Sequence, residues 1–536
     1  MIIALIGNDG SGKTTIAKEL TNIFKDSGLE VIYKHEYEYT VLKFLFGIIG
    51  MGKVEQERKG MIVERKKSWK YYCWPFLVWF DVFLQYLYFR LFRRKAIMVL
   101  DRYPYDHYMS FDYLESLTFL SRWMYLHFPK PDISVILWTK PHVAYERKKN
   151  THDYTLEFYE KQTVSYFKLA DQLNISTINT NKEVRQTLFE TVRHIISFLY
   201  KKRKFEWLSK LSALRLNSLN KIKRISIIIP TYRRGDKLLE LLRSLKKEIR
   251  NLENGIEVKI IIVDDSETKE VETVLESVAS EFGKVAPISV QWSGGNRYPS
   301  FCRNLGAKCA RGDVLIFVDD DNKLSGKVLQ TVVSCFSSFP FLGLLGVMNY
   351  DDRGCVWSVG GHLIKTPFSV IARNSTMIPT NCGYLVPTDY VPNLYAVPKK
   401  LFANVGGFDD RFFPQGLEEV DLSLRIWKNG RTVSVALDRT SYTTHMFGEV
   451  SKTPSRPSRY FLRGRSRILL YHKHFRKLIL WRCVPDIIIR SIITLTYEVP
   501  LRVKILLIQE YIRGVKSGLT AVRENNGGKN EAFYPI

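Results

Sequence analysis

Along the first two hundred residues, short apolar runs alternate with longer stretches whose apolar positions recur at helical spacing. Ile2 to Ile6, Ile97 to Leu100 and Ile133 to Leu137 are such runs, and Thr15 to Leu20 opens a helical pattern. Continuous apolar runs bury both strand faces, so their alternation with helices predicts a parallel sheet with crossover helices. The rhythm restarts at Ile225, where Ile225 to Ile229, Val258 to Val263, Ile288 to Trp292 and Val314 to Val318 read as strands that each run into polar residues. Ligand loops belong at those strand ends in an open α/β sheet. Between the two α/β units lies a basic, polar stretch, Lys201-Lys202-Arg203-Lys204 through Lys223-Arg224. The expected division is a domain at 1–200, a basic linker at 201–224, a domain at 225–475, and a helical region at 476–536 that ends in a disordered tail from Asn525.

Length supports that division, since 536 residues exceed what one hydrophobic core sustains. Eighty Lys and Arg against 54 Asp and Glu leave a formal charge of +26. Such a balance favours polyanionic partners: nucleotide phosphates, lipid phosphates, an anionic membrane surface or nucleic acid. Nucleic acid is not expected, because the basic residues are spread rather than striped and no RRM, KH or helix-turn-helix signature is present. The seven cysteines (73, 302, 309, 335, 355, 382 and 483) form no CxxC pair, which argues against a disulfide framework or zinc site and suits a reducing cytoplasm. The N-terminus carries no basic segment and too short an apolar run for a secretion signal. Trp74 to Phe92 comes nearest to a membrane span, but Asp81, Gln85 and Arg90 interrupt it.

The first strand runs directly into Gly7-Asn8-Asp9-Gly10-Ser11-Gly12-Lys13-Thr14, a GxxxxGK[ST] loop, and the helical pattern follows it. In that context backbone N–H groups and a helix N-terminus wrap phosphates, the lysine neutralises the β/γ oxygens and the hydroxyl takes Mg²⁺. The segment Asp9 to Thr15 resembles the phosphate loop of thymidylate kinases. Two further segments extend the likeness over the first 170 residues: Asp101-Arg102-Tyr103, and Pro131-Asp132 through Pro141, Ala144 and Arg147. The resemblance implies ATP and Mg²⁺ on Gly7, Asp9, Gly10, Ser11, Gly12, Lys13, Thr14 and Thr15. It also implies Asp101 facing metal and phosphates, Arg102 on the phosphoryl acceptor, and Lys13, Arg102 and Arg147 clamping transferred charge, as phosphoryl transfer asks mainly for positioning and electrostatics. The chain departs from the family at His35-Glu36-Tyr37-Glu38-Tyr39, where an Arg-Glu-Pro segment is expected, and an aromatic insertion from Tyr71 to Phe92 falls where the acceptor pocket would be built. That departure argues against thymidylate and leaves open an active kinase for another acceptor or a nucleotide-sensing scaffold.

In the second unit five motifs occur in order: Pro230-Thr231-Tyr232-Arg233; Asp264-Asp265-Ser266; Arg303-Asn304-Leu305-Gly306; Asp319-Asp320-Asp321; and Gly406-Gly407-Phe408-Asp409 with Glu418-Glu419-Val420-Asp421. Together they resemble family 2 glycosyltransferases, whose GT-A fold is an α/β nucleotide-diphospho-sugar transferase domain. That resemblance implies an inverting, metal-dependent transfer. Mn²⁺ or Mg²⁺ on Asp319 and Asp321 would neutralise the departing diphosphate, since hard cations choose carboxylate oxygens. His445 falls where relatives place a metal or phosphate contact. Pro230 to Arg233, Asp265, Arg303 and Asp320 would hold the nucleotide sugar. The general base is expected in the acidic run, where Glu418-Glu419 stands in place of the family's Glu-Asp; Glu419 is favoured, with Glu418 and Asp421 as alternatives. Asp389 to Pro398 would line the acceptor. The expected partners are a nucleotide-diphosphate sugar and a glycan or lipid-linked acceptor in polysaccharide or glycolipid synthesis. The amphipathic C-terminal helices, apolar and studded with Arg and Lys, suggest a peripheral position on the cytoplasmic face of an anionic membrane.

Overall fold

A computed structural model describes residues 1–35, 69–93, 95–113, 117–150, 154–214, 222–253, 255–267, 270–282, 285–365, 370–379, 384–446, 457–475, 479–497 and 499–526. The departure at Glu36 to Tyr39, part of the basic linker (215–221), Cys382, Phe447 and Gly448 of the motif after His445, and the tail from 527 lie outside the described residues. The chain divides into two compact units, Met1–Phe198 and Leu199–Ile536.

The first unit is a five-stranded parallel sheet. Its strands β1 (Ile2–Gly7), β2 (Val31–His35), β3 (Ile97–Asp101), β4 (Ile133–Trp138) and β5 (Ser176–Asn179) stand in the order β2-β3-β1-β4-β5. The apolar runs form the centre because β1 is buried along its whole length, so both of its faces must be apolar. Helix Lys13–Asp26 starts where β1's loop ends and buries Ile16, Ala17, Leu20 and Phe24 at helical spacing. The aromatic insertion is a helix, Trp69–Phe92. It buries Val78 and Phe89, stacks Trp79 on Phe83 at 4.9 Å, and leaves Phe80, Tyr88, Leu91 and Phe92 exposed.

The second unit is built on one mixed sheet. Strands β6 (Arg224–Thr231), β7 (Glu257–Asp264), β8 (Ile288–Trp292) and β9 (Val314–Phe317) form its parallel part, with β6 between β7 and β9. Later strands either extend the β9 edge or pair apart from the sheet. They are β10 (Asn322–Ser325), β11 (Leu342–Asp351), β12 (Val356–Ser358), β13 (Gly361–Lys365), β14 (Val370–Asn374), β15 (Leu385–Pro387), β16 (Tyr395–Pro398), β17 (Thr432–Ala436) and β18 (Tyr442–His445). The order β10-β18-β11-β16-β9-β6-β7-β8 makes β16 the antiparallel partner of β9 and β11, while β13 and β14 pair apart as a hairpin.

Two segments beyond the sheet are built into this unit. Helix Phe205–Ser212, within the basic linker, buries Leu208 and Leu211. Just before it, Tyr200 stacks on Trp427 at 4.3 Å, and Tyr200 and Arg203 both donate to Asp389, whose carboxylate also accepts from the Leu363 N–H. Asp389 is fully buried by these partners, so its side chain braces the fold rather than lining an open acceptor wall. The C-terminal helices Ile479–Leu495 and Leu501–Asn526 pack on helix Pro457–His474 through a shared core of Leu469, Tyr471, Leu507, Tyr511 and Val515. Gly514 lets two backbones meet: a Cβ there would stand 1.9 Å from the Phe461 carbonyl oxygen. A buried Arg467–Asp486 pair, 2.6 Å apart, ties helix Pro457–His474 to helix Ile479–Leu495, and the Tyr511 hydroxyl donates to the same Asp486 carboxylate.

Candidate functional sites

In the first unit, strand, loop and helix place the candidate phosphate-loop residues between β1 and helix Lys13–Asp26, as their sequence context predicts. Gly12 caps the helix at φ 80°, a left-handed value that an L side chain resists, and a Cβ on Gly7 would collide with the Leu137 carbonyl at 1.9 Å. The buried Lys13 ammonium donates to the carbonyls of Gly7 (2.6 Å) and Asn8 (2.9 Å). Burial, with Arg102 as the next cause, holds its pKa below the ordinary lysine value. Ser11 is buried in the loop, its N–H on the Asn8 carbonyl at 3.2 Å, while Thr14 and Thr15 are exposed on the first helical turn. Thr14 Oγ1 donates to Asp101 Oδ2 at 2.6 Å, which sets a hydroxyl beside a carboxylate, the hard-oxygen pair that Mg²⁺ selects. Arg102 reaches Asp9 (2.5 Å) and Arg147 reaches the Gly10 carbonyl (3.0 Å). Lys13, Arg102 and Arg147 therefore converge on one loop. Asp106 braces that loop from beneath by accepting from the Gly7 N–H (3.1 Å) and the Tyr166 hydroxyl (2.7 Å). A cavity of ≈ 540 Å³ opens beside Asp9, between Met109, Tyr154, Phe158 and Gln162.

In the second unit the motif residues gather at the carboxyl ends of β6, β7 and β9. Thr231, on β6, donates to Asp320 at 2.9 Å. Pro230 is buried behind it, whereas Tyr232 is 39% exposed and carries the Arg233 guanidinium 5.2 Å from its ring centre. Asp265 is buried, with one carboxylate oxygen on the Ser293 hydroxyl and the Arg297 N–H and the other on the Tyr298 N–H. Its first task here is to hold the 293–298 loop.

Arg303 links two of the motifs. Its guanidinium donates to Asp319 (2.6 Å) and to Glu418 (3.1 Å), and lies over the rings of Phe408 and Tyr395. The acidic run sits in the first turn of helix Glu418–Lys428, where its three carboxylates have separate neighbours. Glu418 is buried on Arg303. Asp421, wholly buried, is held by Arg425 (2.8 Å), Lys473 (3.0 Å) and His474 (2.7 Å); burial opposes ionisation, but these partners prevail and keep its carboxyl below the usual range. Glu419 is half-buried, and burial followed by the Glu418 charge pushes its carboxyl above the ordinary carboxylate range.

The predicted metal residues divide. His445 Nε2 lies 3.7 Å from Asp321 Oδ1, across the β10–β18 pairing that sets Asn322 opposite His445, while Asp319 is turned to Arg303. Among the described residues, no three His, Cys, Asp or Glu side chains come together as a ready-made cation site. The Asp321–His445 pair still fits a divalent ion that also takes oxygens from a diphosphate, since its two atoms are separated by about one edge of a coordination polyhedron. The motif reading missed Arg234, whose Nη1 bridges Asp320 (3.0 Å) and Asp321 (2.8 Å). It also missed Trp357, stacked on His445 at 5.2 Å. Neither residue stands out by spacing: Arg234 is one of two successive arginines, and Trp357 arrives from a distant strand.

Residues 6–190 match the thymidylate kinase family model and residues 226–367 match the glycosyl transferase family 2 model. An uncharacterised glycosyltransferase of Haemophilus influenzae is 24% identical over 205 residues, covering 38% of this chain and 61% of that protein. The poly(ribitol-phosphate) β-N-acetylglucosaminyltransferase TarS of Staphylococcus aureus is 24% identical over 225 residues, covering 41% of this chain and 35% of TarS. The chain thus spans less than two thirds of either relative. Among solved structures, that of GalNAc-T7 with UDP, GalNAc and Mn²⁺ aligns with a TM-score of 0.39 and 14% identity over 58% of this chain and 59% of that one. In chain order, a segment that matches the thymidylate kinase model precedes one that matches the glycosyl transferase family 2 model.

Proposed function

We propose that the second unit is an inverting glycosyltransferase that uses a nucleotide-diphosphate sugar, and that the first unit binds ATP with Mg²⁺ on its phosphate loop. The observation that carries the reading is the gathering of Thr231, Asp265, Arg303, Asp319 to Asp321 and Glu419 around the carboxyl ends of three parallel strands. Glu419 is the base: Glu418 is committed to Arg303 and Asp421 to Arg425, Lys473 and His474, which leaves Glu419 as the carboxyl whose raised pKa suits proton abstraction. It takes the proton of an acceptor hydroxyl as that oxygen attacks the anomeric carbon and the bond to the diphosphate breaks on the opposite side. Asp321 and His445 would hold Mn²⁺ or Mg²⁺, which when bound supplies charge neutralisation at the diphosphate. Arg303, clamped between Asp319 and Glu418, fixes the spacing between the donor side and the base. The curated relatives support transfer to a glycan or polyol-phosphate acceptor in polysaccharide or glycolipid synthesis, and the +26 charge suits an anionic one.

The membrane reading rests on a surface stripe. Val484, Ile488, Ile492 and Leu495 recur at helical spacing and are exposed, as are Leu501 and Ile505 on the next helix, with Arg502 beside them. No helix among the described residues is long and apolar enough to cross a membrane. An exposed apolar stripe flanked by cations suits the plane of an anionic bilayer interface. The deciding experiment for the transferase is a panel of nucleotide sugars screened by thermal shift with and without Mn²⁺, followed by product analysis. Failure of every nucleotide sugar to bind would end the reading.

A further inference from the structure

Arg234 bonds the Asp321 carboxylate, which is proposed above to hold the divalent cation. It follows the buried Thr231 segment at the end of β6, immediately before helix Gly235–Arg250, and is 40% exposed. Its Nη1 bonds Asp320 Oδ1 and Asp321 Oδ2, while the other oxygen of Asp321 faces His445. A single guanidinium thus bridges Asp320 and the Asp321 carboxylate that faces the His445 imidazole. Asp320 has a second partner, Thr231, so it does not depend on Arg234 alone. Among the described residues, the other partners of the Asp321 carboxylate are the weaker Asn322 amide, at 3.5 Å, and His445.

We propose that Arg234 is an internal counter-cation that competes with the divalent ion for Asp321, and that on giving up Asp321 it becomes a ligand for the donor diphosphate. The inference rests on the transferase reading above. Two positive groups at one carboxylate repel, so the metal gains its ligand at the expense of the guanidinium contact. A guanidinium released beside a diphosphate has the planar, two-pronged donor geometry that phosphate oxygens accept. The consequence is cooperativity. Metal alone binds weakly because it must displace Arg234, and diphosphate strengthens metal binding because it offers Arg234 a new partner.

The alternative is that Arg234 only orients Asp321 toward the metal, as outer-shell partners of metal ligands often do. The two roles give opposite signs. Mn²⁺ binding to the full-length protein, measured by electron paramagnetic resonance without nucleotide, should tighten by about tenfold in Arg234→Gln under competition. The same variant should bind UDP or GDP more weakly than wild type in saturating Mn²⁺. Arg234→Lys, which keeps the charge, should stay close to wild type for Mn²⁺ alone, and Arg234→Ala, which removes it, gives the same comparison should the glutamine variant fold poorly. Unchanged or weaker Mn²⁺ binding in Arg234→Gln, with the Mn²⁺ signal still lost in Asp321→Asn, overturns the competition while leaving the cation site intact. Absence of Asp321-dependent Mn²⁺ binding in wild type and variant alike removes the cation site itself, and the inference with it.

Discussion

At the scale of single residues, three acidic neighbours on one helical turn have three different environments because their partners differ. Glu419→Gln should retain donor and cation yet transfer sugar about 10²-fold more slowly, the usual scale of general-base catalysis, whereas Asp321→Asn should lose cation-dependent donor binding. Calorimetry with a nucleotide sugar, paired with initial rates, separates the two; near-normal rates for Glu419→Gln with donor bound would move the base to Glu418. A base of raised pKa also fixes the sign of the pH dependence. Glu419 must lose its proton to act, so kcat/KM should climb with pH above the ordinary carboxylate range, and a rate already flat from pH 5 would contradict the assignment. Helix Gly235–Arg250 offers a stability counterpart. Glu248, buried on helix Gly235–Arg250 and accepting the Leu329 N–H at 3.2 Å, is pushed up to about 7 from 4.5 by burial. The folded state therefore holds this proton where the unfolded chain has released it. Stability is present below about pH 4.5 and is lost as pH rises toward 7, a change of roughly 3 kcal/mol at most. Glu248→Gln keeps the acceptor oxygen and removes the titration, so its stability in urea should fall less between pH 5 and pH 7.5 than that of wild type. Parallel losses in the two proteins would rule out this source.

At the scale of elements, what could be read from the sequence was whatever depends on a local run of residues. The seven apolar runs are all strands, because burial on both faces demands continuous apolar side chains. The antiparallel half of the large sheet was not legible: β10, β15, β16 and β18 are three or four residues long, and the partners that make them strands come from distant sequence. The same limit applies to Arg234 and Asp389, whose side chains acquire meaning only through residues about 87 and 186 positions away. The C-terminal helices show a local pattern with two meanings. Their apolar spacing suggested a membrane-facing surface, yet one face packs on helix Pro457–His474 and only the other is exposed. Removing residues 476–536 would thus strip a core as well as a surface. The close contact at Gly514 gives a direct test: Gly514→Ala places a methyl group against the Phe461 carbonyl, and should cost roughly 1 to 3 kcal/mol as an overpacked contact. A thermal melt indistinguishable from wild type would show that these helices separate easily.

At the scale of the whole molecule, each site is assembled within its own unit, and each can be addressed by substitutions that leave the other unit's residues untouched. Lys13→Ala removes the buried ammonium that the phosphate loop folds around, so binding of a fluorescent ATP analogue should disappear while sugar transfer stays near wild type. Loss of transfer in a well-folded Lys13→Ala protein would instead reveal that nucleotide on the first unit governs the second. Membrane association calls for the same precision, since truncation confounds surface with core. Ile488, Ile492 and Leu501 are 53%, 58% and 64% exposed, so changing all three to Gln should disturb packing little while removing apolar surface from the stripe. The triple variant should sediment less with anionic liposomes than wild type, and wild-type binding should weaken with salt because exposed cations are screened. The charge term remains in the variant, at about 1 kcal/mol for each cation near the surface, so residual binding should be more sensitive to salt than that of wild type. Equal sedimentation of the two proteins at every salt concentration would show that the stripe does not enter the bilayer interface.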